Sequence, residues 1–361
     1  MNVIIEGLLH AGHYVKVLAL NTNKYNIHEN DIPERFKKQT GIELVYKDLS
    51  LRPIDMFFNL FTKKSYHVER FMSKAFNQKL TEVLKSESFD IVQLEMLYMT
   101  PYIDTIRKFS KAKIILRSHN IEHLIWERIT GVTLNPVKKL YLKYLTAKLK
   151  NYELAVMNSY DGIATISPVD SSFYTSHQCL IPVINIPFGI DKEKYPRGGV
   201  EPEFPSLFHL GAMNWTPNEE GIKWFLDNCW DMVHQKFPTL KFYLAGRMMP
   251  DWLKNLSIPN VEVVGEVADA IDFMRSKAVM IVPLFSGSGI RIKIIEGMAL
   301  GKAVISTNIG AEGIDCVSGQ HLLIANTPVE FLSSIERFIT DPSYCRLVGE
   351  NARQLIEEKH N

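Results

Sequence analysis

The chain has 361 residues, 46% of them hydrophobic and 22% charged, and its 41 Lys and Arg against 40 Asp and Glu leave a net charge of +1. That length exceeds what one core supports and predicts two domains, while the balanced charge removes any electrostatic case for nucleic acid as main partner. The four cysteines, Cys179, Cys229, Cys316 and Cys345, are widely spaced with no Cys-x-x-Cys pair, which argues against a zinc knuckle or a disulfide scaffold and fits a reducing compartment.

The opening residues, MNVIIEGLLHAGH, are too short and too broken by Glu6 and His10 for a signal peptide, and no later apolar run approaches the length of a membrane span. A cytoplasmic protein is expected. Residues 2 to 12 instead read as an amphipathic helix leading into the strand at Tyr14, so the buried strand that should open a doubly wound domain is missing from the pattern. Strands follow at 14–20, 42–47, 90–95, 113–118 and 161–167, with helical patterns between them. Between them, 135–156 interleaves Lys138, Lys139, Lys143, Lys148 and Lys150 with leucines and tyrosines at helical spacing. This reads as the solvated face of a surface helix, with peripheral contact at the inner membrane face as the alternative.

A Pro/Gly-rich stretch at 196–205 marks the border between an expected N-terminal domain, 1–195, and a C-terminal one, 196–361. The second series of strands, SLFHLG, KFYLAG, VEVVGE, AVMIVPL, AVISTN and HLLIA, again alternates with helices. Two doubly wound α/β domains facing across a cleft are the expected architecture, with ligands outside the carboxyl ends of the parallel strands.

In the first domain, IILRSHNIEHLIWER (114–128) passes from strand to helix. His119, Glu122 and His123 spell H-x-x-E-H, a pattern of zinc peptidases, but a third ligand and a partner helix are needed and a five-residue match arises readily by chance. The competing reading makes His119 a cleft residue, with Asn120 and Glu122 capping the helix. Glu95, ending the strand DIVQLE, is either an acceptor contact or a solvated carboxylate.

The richest segment is PLFSGSGIRIKIIEGMALGKAVISTNIGAEG (283–313). A buried strand ends in a Ser/Gly turn and a helix follows, so unpaired N–H groups and the positive end of the helix dipole make a diphosphate cradle. Arg291 and Lys293 fall in the first turn, where cations oppose the dipole and a bound anion would account for them. Glu296, on the same helix, could accept hydrogen bonds from two ribose hydroxyls.

Taken in order, this run resembles the C-terminal signature of the family-4 retaining glycosyltransferases, of the "group 1" type. FHLGAMNWTPNEEGIKWF (208–225), YLAGR (243–247) and DPSYCRLVGENAR (341–353) resemble the same family's opening strand and helix, donor-facing strand and closing helix. The resemblance implies a GT-B fold and a nucleotide-sugar donor used as co-substrate. No cofactor is implied and no metal, in keeping with the lack of an Asp-x-Asp. It implies transfer with retention to a saccharide or lipid-linked acceptor, as in enzymes building bacterial polysaccharide. Gly211 and Asn214 would line the cleft, Trp215 and Pro217 shape the turn, Arg247 clamp the diphosphate, Glu296 hold the ribose, and His119 orient donor or acceptor. Either Lys254 or Lys293 supplies the second cation. Ser288, where many relatives carry a Glu, would join Gly289 and Arg291 at phosphate. In relatives the first strand carries a donor loop and a last helix crosses back onto the first domain; this chain is expected to lack both. An epimerase of the same architecture and a non-catalytic nucleotide-sugar-binding remnant remain alternatives.

Overall fold

A computed structural model of the chain describes residues 2–23, 26–196, 198, 201–287 and 289–360. Its contacts divide it into two compact units, Met1–Ile186 and Pro187–Asn361. The division falls nine residues before the expected border at 195/196. The reason is that the segment after Pro187 is tied to the C-terminal helix Pro342–Lys359. Ile190 N–H donates to the His360 carbonyl at 2.8 Å, and Arg353 donates to the Tyr195 carbonyl at 2.9 Å.

In the first unit, residues Asn2–His10 form the expected helix. The strands are β1 (Leu18–Thr22), β2 (Glu43–Lys47), β3 (Ile91–Glu95), β4 (Lys113–Ser118), β5 (Gly162–Thr165) and a short β6 (Val183–Asn185) that the sequence reading missed. All pairs are parallel, but they form two sheets, β1-β2 and β3-β4-β5-β6. Leu18, Leu20 and Val45 of the small sheet still pack on the core of the larger one, around the fully buried Ile114, Leu116 and Ile106. Residues 14–17, expected as strand, lie outside it, although Val17 keeps backbone bonds to Thr40 and Glu43.

Two helices of this unit are joined by a buried carboxylate. Glu153, on the helix Pro136–Val156, accepts from the backbone N–H groups of Glu122 and His123 (3.0 and 3.1 Å) and meets His123 Nδ1 at 2.7 Å. It thereby satisfies the open first turn of the helix Glu122–Val132. The cap is thus Glu153 and not Asn120 or Glu122 as expected. The Glu122 carboxyl is turned inward to Tyr98 Oη at 2.7 Å, and burial, with the neighbouring Glu153 charge, pushes it up to about 7 even though the Tyr98 bond opposes this. The lysines of 135–156 do not share one solvated face either: Lys148 is buried and donates to the Asn59 carbonyl.

The second unit is one fully parallel sheet, in the order β12-β11-β10-β7-β8-β9. Its strands are β7 (Glu203–Leu210), β8 (Lys241–Ala245), β9 (Val261–Gly265), β10 (Lys277–Val282), β11 (Ala303–Ser306) and β12 (Leu323–Ile324). Val279 to Val282 and Val304 to Ile305 are wholly buried, as in strands covered on both faces. Phe225, Phe242 and Phe331 pack edge to face beneath them, at 5.1 and 5.5 Å. The chain runs from β7 outward through β8 and β9, then returns to β10 on the other side. The strand order therefore reverses between β7 and β10, and a crevice opens outside their carboxyl ends.

That crevice depends on close backbone approach. A Cβ added to Gly221, on the helix Thr216–Phe225, would stand 2.1 Å from the Pro283 carbonyl oxygen just after β10. Gly221→Ala is therefore expected to cost the second unit about 1–3 kcal/mol through overpacking. Gly131→Ala, on an open helix position with nothing within 4 Å, should be neutral or slightly stabilising. Urea unfolding of the two variants checks this, and equal midpoints would refute the tight helix-to-strand approach.

Candidate functional site

The carboxyl ends of β7 and β8 exit through glycines that touch. Gly246 has φ +148°, and a Cβ there would come within 1.8 Å of the Gly211 carbonyl oxygen, so no side chain fits. A Cβ on Gly211 would in turn lie 2.7 Å from Asn218 Nδ2 and 3.0 Å from Lys293 Nζ. The ammonium of Lys293 is thus brought against bare backbone at the point where the strand order reverses.

Lys293 comes from the helix Ile292–Ala299, which follows β10 through the Ser/Gly turn. Its Nζ donates to Asn218 Oδ1 at 2.6 Å and lies 3.2 Å from His209 Nε2. His209 is fully buried at the end of β7, and its Nδ1 sits 2.8 Å from the Ile281 carbonyl, where only a protonated nitrogen makes a bond. Nε2 is then the acceptor for Lys293. Both partners are neutral, and among the described residues no carboxylate pairs with this lysine. Burial first, then the charge of Arg291, holds Lys293 well below the usual lysine range. Burial and Lys293 likewise keep His209 well below its ordinary value, outweighing the Ile281 bond.

Arg291 occupies the N-cap position rather than the first turn, so the helix starts three residues after Gly289. Its side chain is buried, donates to the Gly289 carbonyl at 2.5 Å and stacks over Trp215 at 5.3 Å. Trp215 stands at the N-cap of the helix that carries Asn218, with Asn214 exposed just before it. Gly287 and Gly289 have φ of +97° and +79°, which lets the turn wrap this arginine. Ser288 lies outside the described residues.

Glu296, one turn beyond Lys293, is partly buried and accepts from Tyr195 Oη at 3.0 Å. Burial raises its pKa although the Tyr195 bond opposes this. Arg247 follows Gly246 and so stands at the same rim, but its guanidinium is largely exposed and pairs with Glu266 at 3.0 Å. Lys254, the other candidate cation, is exposed and bonded to Asp251 at 3.0 Å. It borders a solvent-open pocket of about 510 Å³ that Gly246, Gly265 and Glu266 also line. The structure therefore gathers Gly211, Lys293, Arg291, Gly289 and Trp215 closely, with Arg247 and Lys254 at the edge. Sequence reasoning missed His209, Asn218 and Tyr195. His209 and Asn218 lie within the quoted 208–225 run; a histidine between Phe208 and Leu210 was the available signal for the first, and Asn218, beside Glu219 and Glu220, carried none.

In the first unit, the two residues proposed separately prove to be one pair: His119 Nε2 lies 2.5 Å from Glu95 Oε2. Burial tends to raise Glu95, but the His119 and Gln93 bonds and the Arg117 charge win and hold it below the usual carboxylate range. In the H-x-x-E-H pattern each histidine meets a different carboxylate, His119 that of Glu95 and His123 that of Glu153, while Glu122 faces Tyr98. Among the described residues no three His, Cys, Asp or Glu are grouped to hold a metal, and no helix is long and apolar enough to cross a membrane.

Comparison with known proteins bears on the fold and on the second unit. Residues 204–341, which run from the second residue of β7 past β12, match the family described as Glycosyl transferases group 1. An uncharacterized 44.6 kDa protein in the cps region of Klebsiella pneumoniae is 25% identical over 298 residues, 78% of this chain and 74% of that protein. Among solved structures, sucrose-phosphate synthase from Thermosynechococcus elongatus superposes with a TM-score of 0.66 at 15% identity, covering 99% of this chain and 87% of the other. Anabaena HepE in complex with UDP gives 0.63 at 12% identity, covering 91% and 85%. The chain thus has the GT-B fold, and its second unit is similar to the group 1 glycosyltransferases.

Proposed function

We propose that the chain is a glycosyltransferase that moves a sugar from a nucleoside-diphosphate sugar, with retention and without a metal, to a saccharide or lipid-linked acceptor. The observation that carries the reading is the half-buried Lys293 side chain, its Nζ held by two neutral groups against Gly211. A cation so placed lacks its counter-charge, and a pyrophosphate supplies one. HepE, of similar fold, binds UDP and UDP-glucose, and the relative in a cps region supports a saccharide product.

Departure of the nucleoside diphosphate is the hard step, because negative charge grows on the β-phosphate as the sugar becomes oxocarbenium-like. Lys293 and the first-turn N–H groups after Arg291 are held in place to meet this charge, and Arg247 joins them from the rim. Arg247 would exchange Glu266 for phosphate, Glu296 would accept the ribose hydroxyls beside Tyr195, and Asn214 and Gly289 would border the donor. His119, oriented by Glu95, is read as a positioning group for the transferred sugar, and the leaving phosphate as the acceptor of the incoming hydroxyl's proton. Such an enzyme would work in the cytoplasm, where nucleotide sugars are made.

Thermal unfolding with UDP, GDP and ADP and their glucose forms is the direct test. The matching nucleotide at a hundredfold excess over its Kd should raise the midpoint by about 5–10 °C. Lys293→Met should weaken binding about ten- to hundredfold, and Glu296→Gln less. No stabilisation by any of the three would overturn the donor reading; donor altered without acceptor would instead mark an epimerase, and binding with neither transfer nor hydrolysis a non-catalytic remnant.

Binding should also take up a proton. Lys293 is depressed in the free site, and a diphosphate raises it, so between the free and bound pKa values affinity falls as pH rises, with a slope approaching one proton. Calorimetry in two buffers of different ionisation enthalpy measures the uptake. Lys293→Met should abolish it, and a slope unchanged in that variant would assign the proton elsewhere.

A further inference from the structure

Within the first unit, the segment 51–61 exposes five large apolar side chains, Leu51, Ile54, Phe57, Phe58 and Phe61, each more than half accessible and Phe61 77%. Phe57 meets Phe58 and Phe61 edge to face at 5.9 and 5.4 Å, so the rings pack on one another outside the core. The helix Pro136–Val156 adds Val137, Leu140 and Tyr144 at spacings that align on one face. The two elements touch: Tyr144 Oη donates to the Leu60 carbonyl at 2.6 Å.

Basic side chains flank this apolar surface. From 51 to 64 stand Arg52, Lys63 and Lys64 against Asp55, and from 134 to 144 stand Lys138, Lys139 and Lys143 with no acid. Lys64 pairs with Glu69, but Lys63, Lys138 and Lys143 make no ion pair among the described residues. An apolar patch ringed by unneutralised lysines suits the boundary of an anionic bilayer, where rings enter the acyl layer and ammonium groups meet lipid phosphate. A second copy of the chain fits poorly, since self-pairing of the patch would bring lysines onto lysines.

We infer that the surface built by residues 51–64 and the first two turns of the helix Pro136–Val156 docks the protein on anionic phospholipid membrane. It lies on the interface without spanning it. The surface goes beyond the donor reading and stands without it, yet it would bring the enzyme to a lipid-linked acceptor.

The test uses the full chain and co-sedimentation with phosphatidylcholine vesicles with and without phosphatidylglycerol. Binding is expected only with the anionic lipid and should weaken with added salt. Phe57→Ser with Phe61→Ser, and separately Lys138→Glu with Lys143→Glu, should each lower partitioning about tenfold or more. The nucleotide-induced thermal shift should remain, which shows that the variants fold and separates this inference from the donor reading. Absence of vesicle binding by the unaltered chain, or variants that partition as it does, would overturn the proposal. Variants that turn a dimer into a monomer would do the same and assign the patch to a second copy.

Discussion

A half-buried lysine held among neutral partners sets the terms for the rest of the second unit. Lys293 reaches Gly211 only because two strand exits are glycine, because His209 presents a lone pair and not a proton, and because Asn218 is turned with its carbonyl inward. Each condition is set by a different element: β7, β8 and the helices after β7 and β10. Such a charge opposes folding on its own account, since desolvation is not repaid by a carboxylate. Its retention at the strand reversal makes sense as preorganisation of position: the amine is held in place by folding and gains its full charge when an anion arrives.

The neighbouring arginines illustrate two other ways of storing positive charge. Arg291 is buried, laid on Trp215 and bonded to Gly289, so it shapes the turn and raises the potential around Lys293. Arg247 waits in solvent with Glu266 as partner, an exposed pair that contributes little and is easily exchanged. One half-buried, one buried and one exposed cation thus stand in order from the strand reversal to the rim.

Much of this was legible in the sequence. Parallel strands buried on both faces write continuous Val/Ile/Leu runs, so all six strands of the second unit were found, and the Ser/Gly turn marked the start of the helix that carries Lys293 and Glu296. What escaped was tertiary. β6 is only three residues long, and a polar residue such as His209 inside a buried strand has no periodic signature. The unit border was misplaced because Pro and Gly mark turns, whereas the real division follows the bonds of Ile190 and Tyr195 to the last helix. Lys148 looked solvated because helical spacing alone cannot tell which side a loop such as 59–64 will cover.

The Glu153 cap has a mechanical meaning. The helix Pro136–Val156 is a rod about 30 Å long, anchored near its middle by Tyr144 and Lys148 to the 59–60 backbone and near its far end by Glu153 to the first turn after His119. Those bonds tie the helix both to the exposed aromatic segment and to the turn that follows His119. One rigid element is therefore the shared frame of the apolar surface and of the His119–Glu95 pair.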